Sequence, residues 1–207
     1  SQLLERAGKF APDQGGGSMT FFPVVATIQG DITGYIQTNV ISITDGQLYL
    51  NTSLFQRGFK PSIDFGLSVS RIGSRAQCPA MKEVSGKLRL EYLQYQELLR
   101  MTTMKTDLSS QAEARLRRGE LVTAIFTQNK GQPSSLEEQV VFLHAIRIGV
   151  LDPVPFAWAR FKKEISGWLR LRYPQIPDEI RAKKAFSPEL KTLLEKAFKE
   201  FLAEEAK

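Results

Sequence analysis

The residues with the clearest chemical potential lie in GLSVSRIGS, residues 66–74, with Arg71 at the centre. A strand-like lead-in, Pro61 to Leu67, runs into the small residues Ser68, Ser70, Gly73 and Ser74. Small neighbours leave the Arg71 side chain sterically free. A guanidinium is planar, always charged and carries five donors, so it suits phosphate oxygens better than an ammonium does. A cation at a strand end, beside serine hydroxyls, can reach a phosphate bound elsewhere. The ordinary alternative is a surface arginine in a polar turn, and on these nine residues alone that alternative is favoured. A second stretch, Gln37 to Gly46, reads as a strand ending in Ser42, Thr44, Asp45 and Gly46. That places hydroxyls at a strand terminus, where α/β domains bind ligands. Plain strand-edge chemistry followed by a turn is the alternative there.

The remaining chemistry is sparse. No GxxxxGK[ST] loop is present to cradle phosphates, and no apolar run ends in an aspartate placed to hold magnesium. With one histidine, His144, a histidine-based zinc or acid–base site is not expected, nor a Ser-His-Asp arrangement. His144 lies inside an apolar helical pattern and reads as a packed helix residue. One cysteine, Cys78, excludes an intrachain disulfide and a cysteine-rich metal site. No metal site is expected in this chain, and alone it has no visible catalytic machinery.

The elements that must position Arg71 and Ser42 fall into two composition regimes. At 207 residues, 42% hydrophobic and 24% charged, the chain has the make-up of a globular protein of one large or two modest domains. Residues 11 to about 76 are rich in Gly, Thr, Ser, Val and Ile. Gly15-Gly16-Gly17-Ser18 reads as a flexible connector. Residues 22–28 read as a buried strand, 34–43 as a second and 47–50 as a third, with Gly30-Asp31 and Asp45-Gly46 as turns. The fold class expected is an α/β fragment, the last strands of a mostly parallel sheet, followed by an all-α bundle.

Residues 77–207 are rich in Leu, Glu, Lys, Arg and Ala and read as helices. Met81, Val84, Leu88, Tyr92, Tyr95 and Leu99 form one stripe. Leu121, Val122, Ile125 and Phe126 finish a helix beginning near Leu108. Ser134 and Glu137 form an expected capping box before Leu136, Val140, Leu143 and Ile148. Pro153 and Pro155 separate this helix from one carrying Trp158, Phe161, Ile165, Trp168 and Leu169, which Tyr173-Pro174 ends. Ser187-Pro188 opens a last helix with Leu190, Leu194, Ala197, Phe201 and Leu202.

The net charge is +6 and the isoelectric point about 9.5, which permits contact with nucleic acid or an anionic membrane. The basic residues, however, cluster at Arg115–Arg118, Lys162–Lys163 and Arg181–Lys184 with acidic neighbours, the pattern of solvated helix faces. Nucleic acid is therefore not an expected partner. No run of eighteen apolar residues spans a membrane. The opening SQLLERAGKF lacks the apolar core of a signal peptide and reads as the middle of a longer chain, so a split or processed polypeptide is expected.

Several blocks together carry a family resemblance: SxLLERAxK (1–9), GGGSxT (15–20), GDIxxYIxTNVISITDGQ (30–47), LF…GxxP (54–61), GLSVSRIGS (66–74) and AMKxVSGxLRLxxxQYxEL (80–98). In order and spacing they resemble the alpha subunit of F-type ATP synthase. RGEL (118–121), EEQ (137–139) and GVLD (149–152) keep the register beyond them. The resemblance implies a C-terminal portion: residues 1–76 as the C-terminal part of the central nucleotide-binding domain, and 77–207 as the C-terminal helical bundle. It implies that Arg71 is an arginine finger reaching the γ-phosphate held by a neighbouring beta subunit. Ser42 matches a serine of the same catalytic interface. Phe55, Lys60, Pro61 and Gln128 fall on the adenine side of a non-catalytic nucleotide site.

By the same resemblance, ATP or ADP with magnesium binds at the interfaces, with phosphate and metal ligands supplied by other chains. The implied partners are the N-terminal piece of the alpha subunit, beta subunits, the gamma central stalk and the peripheral stalk. The implied activity is that of the assembled proton-transporting two-sector ATP synthase; for the isolated chain an enzymatic activity stays open. The expected location is the matrix side of the mitochondrial inner membrane, with the plastid thylakoid or a bacterial inner membrane as alternatives. Some positions depart from the family. Lys60 stands where arginine is usual, Lys130 where a second glutamine is usual, Ala26 and Ile28 replace a glutamate and a glutamine, and Gln37 replaces a proline. The interface residues are intact while the adenine side has drifted. Two rival readings stand beside this one: a structural alpha-like piece without a catalytic role, and a basic helical interaction module.

Overall fold

Helices dominate the second half of the chain because its apolar residues recur at helical spacing, and Ser109, Ser135 and Ser187 supply side-chain caps to some of the helix starts. A computed structural model describes residues 2–102, 109–154 and 157–204. The expected helix start near Leu108 and the break at Pro155 lie outside the described residues. The chain divides into two compact units: residues 1–58 with 62–73, and residues 59–61 with 74–207.

In the first unit, β1 (Gly8–Lys9) pairs antiparallel with β2 (Ser18–Met19). The glycine run is therefore the turn of a small hairpin rather than a connector, with Gly15 and Gly16 at positive φ. Residues 21–27 carry no strand pairing, and Phe22 and Val24 are exposed, so the buried strand expected over 22–28 is absent. A strand is stable only against neighbours that complete its ladder, and this segment finds one isolated bridge, Ile28 to Asp31.

The segment expected as a second strand is helix α1 (Tyr35–Ile43). Its β-branched content suggested a strand, yet Ile36, Val40 and Ile43 are spaced four and three apart, the helical period. The expected third strand reduces to β3 (Gly46–Gln47), followed by the bridge of Leu50 to Ile63 and the short helix α2 (Thr52–Gln56), capped by Asn51. β3 pairs antiparallel with β4 (Val69–Ser70). The fold class holds, a small strand region followed by a helical bundle, but both ladders among the described residues are antiparallel.

The second unit is helical: α3 (Pro79–Ser85), α4 (Leu88–Thr102), α5 (Ser110–Phe126), α6 (Leu136–Ile148), α7 (Trp158–Arg172), α8 (Gln175–Lys183) and α9 (Pro188–Ala203). The expected single stripe from Met81 to Leu99 is split at Gly86-Lys87, with Val84, Leu88, Tyr92 and Tyr95 still buried. Helix α8 was not expected, because Tyr173-Pro174 reads only as a stop. Pro174 instead serves as its N-cap residue and Pro177 sits in its first turn, where a missing N–H costs nothing. Ile176 and Ile180, four apart, are fully buried. Phe161 lies at the centre of the core, edge-on to Phe198 at 5.4 Å and to Phe201 at 5.8 Å.

The capping box lies one residue later than expected. Ser135 Oγ accepts from the Glu138 amide at 3.3 Å, and Glu138 returns to accept from the Ser135 amide at 3.0 Å. Both registers satisfy the sequence pattern, but Glu137 is buried and bonded to Arg181, which holds its carboxyl below the usual range. Ser187 caps α9 as expected, accepting from Leu190 at 3.1 Å.

The distal blocks RGEL and GVLD meet. Arg118 donates to Glu91 at 3.0 Å, to Asp152 at 2.9 Å and to the Ile146 carbonyl at 3.0 Å. Gly119 beside it faces Tyr95, whose ring would lie 2.1 Å from any Cβ at that position. These motifs stitch helices together.

Candidate functional site

Arg71 is positioned by a turn and a short ladder. Asp64 Oδ1 accepts from the amides of Gly66 at 2.9 Å and Leu67 at 3.2 Å, which folds the chain back. The buried Ser68 accepts from the Tyr49 amide at 3.0 Å and fixes the register. β4 then lies against β3 so closely that a Cβ on Gly46 would meet the Val69 carbonyl oxygen at 2.4 Å. The ladder continues into an amide bond from Arg71 to the Asp45 carbonyl at 2.8 Å.

The Arg71 side chain is exposed but not loose. Its Nη1 donates to the Ser42 carbonyl at 3.1 Å and its Nη2 to the Ile41 carbonyl at 3.2 Å. These oxygens belong to the last turn of α1, where helical carbonyls lack intrahelical partners. The Val40 carbonyl is taken by the Thr44 amide and hydroxyl, and the Ser42 hydroxyl donates to the Asn39 carbonyl at 2.7 Å. A cation here also faces the negative end of the helix dipole. The structure thus brings the Arg71 guanidinium onto the backbone of Ser42. It corrects the setting of Ser42, which ends a helix and not a strand. It also corrects the view of Arg71 as sterically free, since the guanidinium is tied back to α1.

The adenine-side residues are placed in two groups. Phe55 is on α2 of the first unit and is 56% exposed. Lys60, Pro61 and Gln128 belong to the second unit and are exposed. The Gln128 amide donates to the Lys60 carbonyl at 2.6 Å, which joins the chain after α5 to the Lys60-Pro61 step, a cis bond. The anchor beneath this pair was not foreseen. Phe59 is buried and stacks on Tyr92 at 5.9 Å with 22° between planes, and Tyr92 meets Phe126 at 6.3 Å. Tyr92 stood on the sequence stripe; Phe59, one residue before Lys60, was the missed signal. Lys162 was also missed: from α7 it donates to the Ala124 carbonyl at 2.8 Å and to the Thr127 carbonyl.

The chemistry available is narrow. Arg71 presents a charged planar donor set at an exposed strand exit. Among the described residues no group of three or more His, Cys, Asp and Glu side chains could hold a metal ion. His144 is 2% exposed, packed on Phe186 at 5.0 Å and Phe198, and burial holds it below its ordinary pKa. It is a core residue, as the helical pattern implies.

Comparison with known proteins places this geometry. Residues 77–201 match the family described as ATP synthase alpha/beta chain, C terminal domain. Residues 1–70 match the ATP synthase alpha/beta family, nucleotide-binding domain. ATP synthase subunit alpha of Helicobacter pylori strain G27 is 43% identical over 202 residues, 97% of this chain. The same-named protein of Helicobacter acinonychis is 44% identical over the same extent. In both cases the chain spans 40% of the relative's length.

Proposed function

The chain belongs to the ATP synthase alpha/beta family, as a C-terminal portion of the alpha subunit, and from that premise we propose that Arg71 serves as an arginine finger for a nucleotide held by a neighbouring beta subunit. The observation that carries this reading is the mounting of Arg71. It leaves the β3–β4 ladder beside Ser42, exposed, with its guanidinium oriented by two carbonyls of α1. Two of its five N–H donors are used this way among the described residues, and the fork remains suited to phosphate oxygens. Ser42 belongs to the same corner and is proposed to line the same interface.

Following the resemblance, magnesium and phosphate ligands are assigned to other chains. Lys60, Pro61 and Gln128 are assigned to the adenine side of a non-catalytic nucleotide site; Phe55, on α2, is assigned to adenine by the resemblance alone. Residues 1–76 are read as the end of the nucleotide-binding domain and 77–207 as the bundle. The first unit carries an apolar groove lined by Phe22, Val24, Val25, Val40, Leu48 and Leu67. We assign its cover to the remainder of the alpha nucleotide-binding domain, with beta, gamma and peripheral stalk subunits as further partners in proton-driven ATP synthesis and hydrolysis. The bacterial sources of the relatives support a bacterial inner membrane over the mitochondrial or plastid alternatives. No helix among the described residues is long and apolar enough to cross a membrane.

One observation favours a second reading. A guanidinium bonded to two helix-end carbonyls also describes a structural cap, with no role in catalysis. Arg71→Ala in the assembled complex separates the two. The finger reading expects hydrolysis to fall roughly a thousand-fold, as for other trans-acting arginines, with subunit assembly retained. An unchanged turnover, or a loss that tracks disassembly, overturns it. Arg71→Lys keeps a cation but loses the planar fork, and is expected to restore little of the rate.

A further inference from the structure

We propose that Lys162 is a positioning residue for the adenine-side group, locking the peptide between Thr127 and Gln128 and through it the Lys60-Pro61 step. The inference rests on the assignment of Lys60, Pro61 and Gln128 to a nucleotide base.

The geometry is that of one peptide unit gripped at both ends. The carbonyl of Thr127 and the amide of Gln128 are the two faces of a single planar group. Lys162 Nζ donates to that carbonyl, while the amide donates to the Lys60 carbonyl at 2.6 Å. A charged donor on the oxygen polarises the peptide and strengthens the amide as a donor on the other side. The plane can then no longer rotate, and rotation of that plane would re-aim the Gln128 side chain that follows it.

The receiving end needs this hold. The Lys60 carbonyl belongs to a peptide whose nitrogen is that of Pro61, so it has no N–H and can be held only through its oxygen. Phe59 fixes the preceding residue by stacking on Tyr92. The hydrogen bond from the Gln128 amide carries this order on to Lys60 and Pro61. A second bond from Lys162 to the Ala124 carbonyl sets the ammonium over the unpaired end of α5, where a cation is favoured by the helix dipole. Burial pushes the Lys162 pKa down, a cost incurred where the lysine reaches inward to these carbonyls. The neighbouring Lys163 is exposed, and the two differ in direction by one helical step. Lys162 touches no expected base position itself. It acts through Thr127 and Gln128.

The test uses the full chain in its assembled complex, with fluorescent analogues of ATP and GTP as probes of the non-catalytic sites. Gln128→Ala tests the underlying assignment, Lys162→Met the inference and Lys162→Arg its rescue. Lys162→Met is expected to weaken the ATP analogue about tenfold, equivalent to about 1.4 kcal/mol. It is also expected to narrow the preference for adenine over guanine, while Lys162→Arg restores both. A general loosening of the bundle would weaken both probes alike and leave the preference unchanged, and that outcome overturns the positioning role. If Gln128→Ala lowers adenine affinity and Lys162→Met does not, the inference fails alone. If Gln128→Ala changes nothing, the nucleotide assignment fails and the inference with it. Should Lys162→Met not assemble, Lys162→Gln, neutral but still a donor, is expected to give an intermediate preference; wild-type preference in that variant overturns the proposal.

Discussion

The two units of this chain solve the burial problem differently. Among the described residues, the first unit buries Leu54 and Ser68 below a tenth of their surface, while Phe22 stands 83% exposed and Val24 94%. The second buries Phe161, Ile165, Leu194 and Phe198 completely. A helix satisfies its own backbone and needs only a neighbouring apolar stripe, and here the neighbours follow within a few tens of residues. A sheet segment needs partner strands on either side, which can be far away in sequence or on another chain. The bundle therefore completes itself, whereas residues 21–28 carry apolar side chains without a ladder to bury them. This contrast fits the proposed function, in which the first unit, carrying Arg71 and Ser42, is completed by chain from elsewhere while the bundle packs on itself.

The widest test of the contrast pairs two apolar truncations. Phe161→Ala is expected to cost the bundle about 3–5 kcal/mol, through lost transfer energy and the cavity left beside Phe198 and Phe201. Val24→Ala in the first unit is expected to stay within about 0.5 kcal/mol, as for exposed positions generally. Denaturant unfolding of both variants checks this, and equal costs would break the contrast. Next in size is Gly119→Ala. Its new methyl would press on the Tyr95 ring, and overpacking of this kind costs about 1–3 kcal/mol. A Tyr95→Ala partner change is expected to relieve part of that cost, measured as coupling in a double-mutant cycle.

Smaller effects sharpen the picture of how the bundle is held. Ser135→Ala is expected to lose about 1 kcal/mol, because it removes the cap of α6, while Ser134→Ala loses much less. The reverse order would return the capping box to the register read from the sequence. The smallest effect is a pH slope. His144 is buried neutral against Phe186 and Phe198, near Arg147, Glu83, Lys191 and Glu195. Its folded pKa lies below the unfolded value of about 6.5, so stability is complete above that pH and declines as pH falls beneath it. Thermal melting between pH 7.5 and 5.5 is expected to show this decline in the native chain, and His144→Phe to flatten it. Carboxylates such as Glu83, held low by Lys191 and Arg147, add their own losses only in more acidic solution.

Much of the candidate site could be read from residue order. The resemblance carried by the GLSVSR and VISITDGQ blocks implied one interface for Arg71 and Ser42, and the structure bonds the guanidinium to the Ser42 backbone carbonyl. What the blocks did not disclose was the local conformation around them. Ile36, Val40, Ile41 and Ile43 are β-branched, and their strand preference concealed a spacing that also fits a helix. Lys162 could not have been singled out, because its importance comes from carbonyls 35 and 38 residues away. In the sequence it is one of two adjacent lysines on an amphipathic helix.

Residue order by itself determined most helices of the bundle, α8 excepted, the buried place of His144 and the family to which the chain belongs. Those features rest on local periodicity and on motifs, which need no distant partner to be read. The tertiary structure alone decided that residues 35–43 coil, that 21–27 stay unpaired, which serine caps α6 and which lysine reaches the Thr127 carbonyl. Several of those outcomes depend on groups brought near only by folding, Arg181 beside Glu137 and the Thr127 carbonyl beside Lys162 among them, and local preference cannot choose among partners it does not contain.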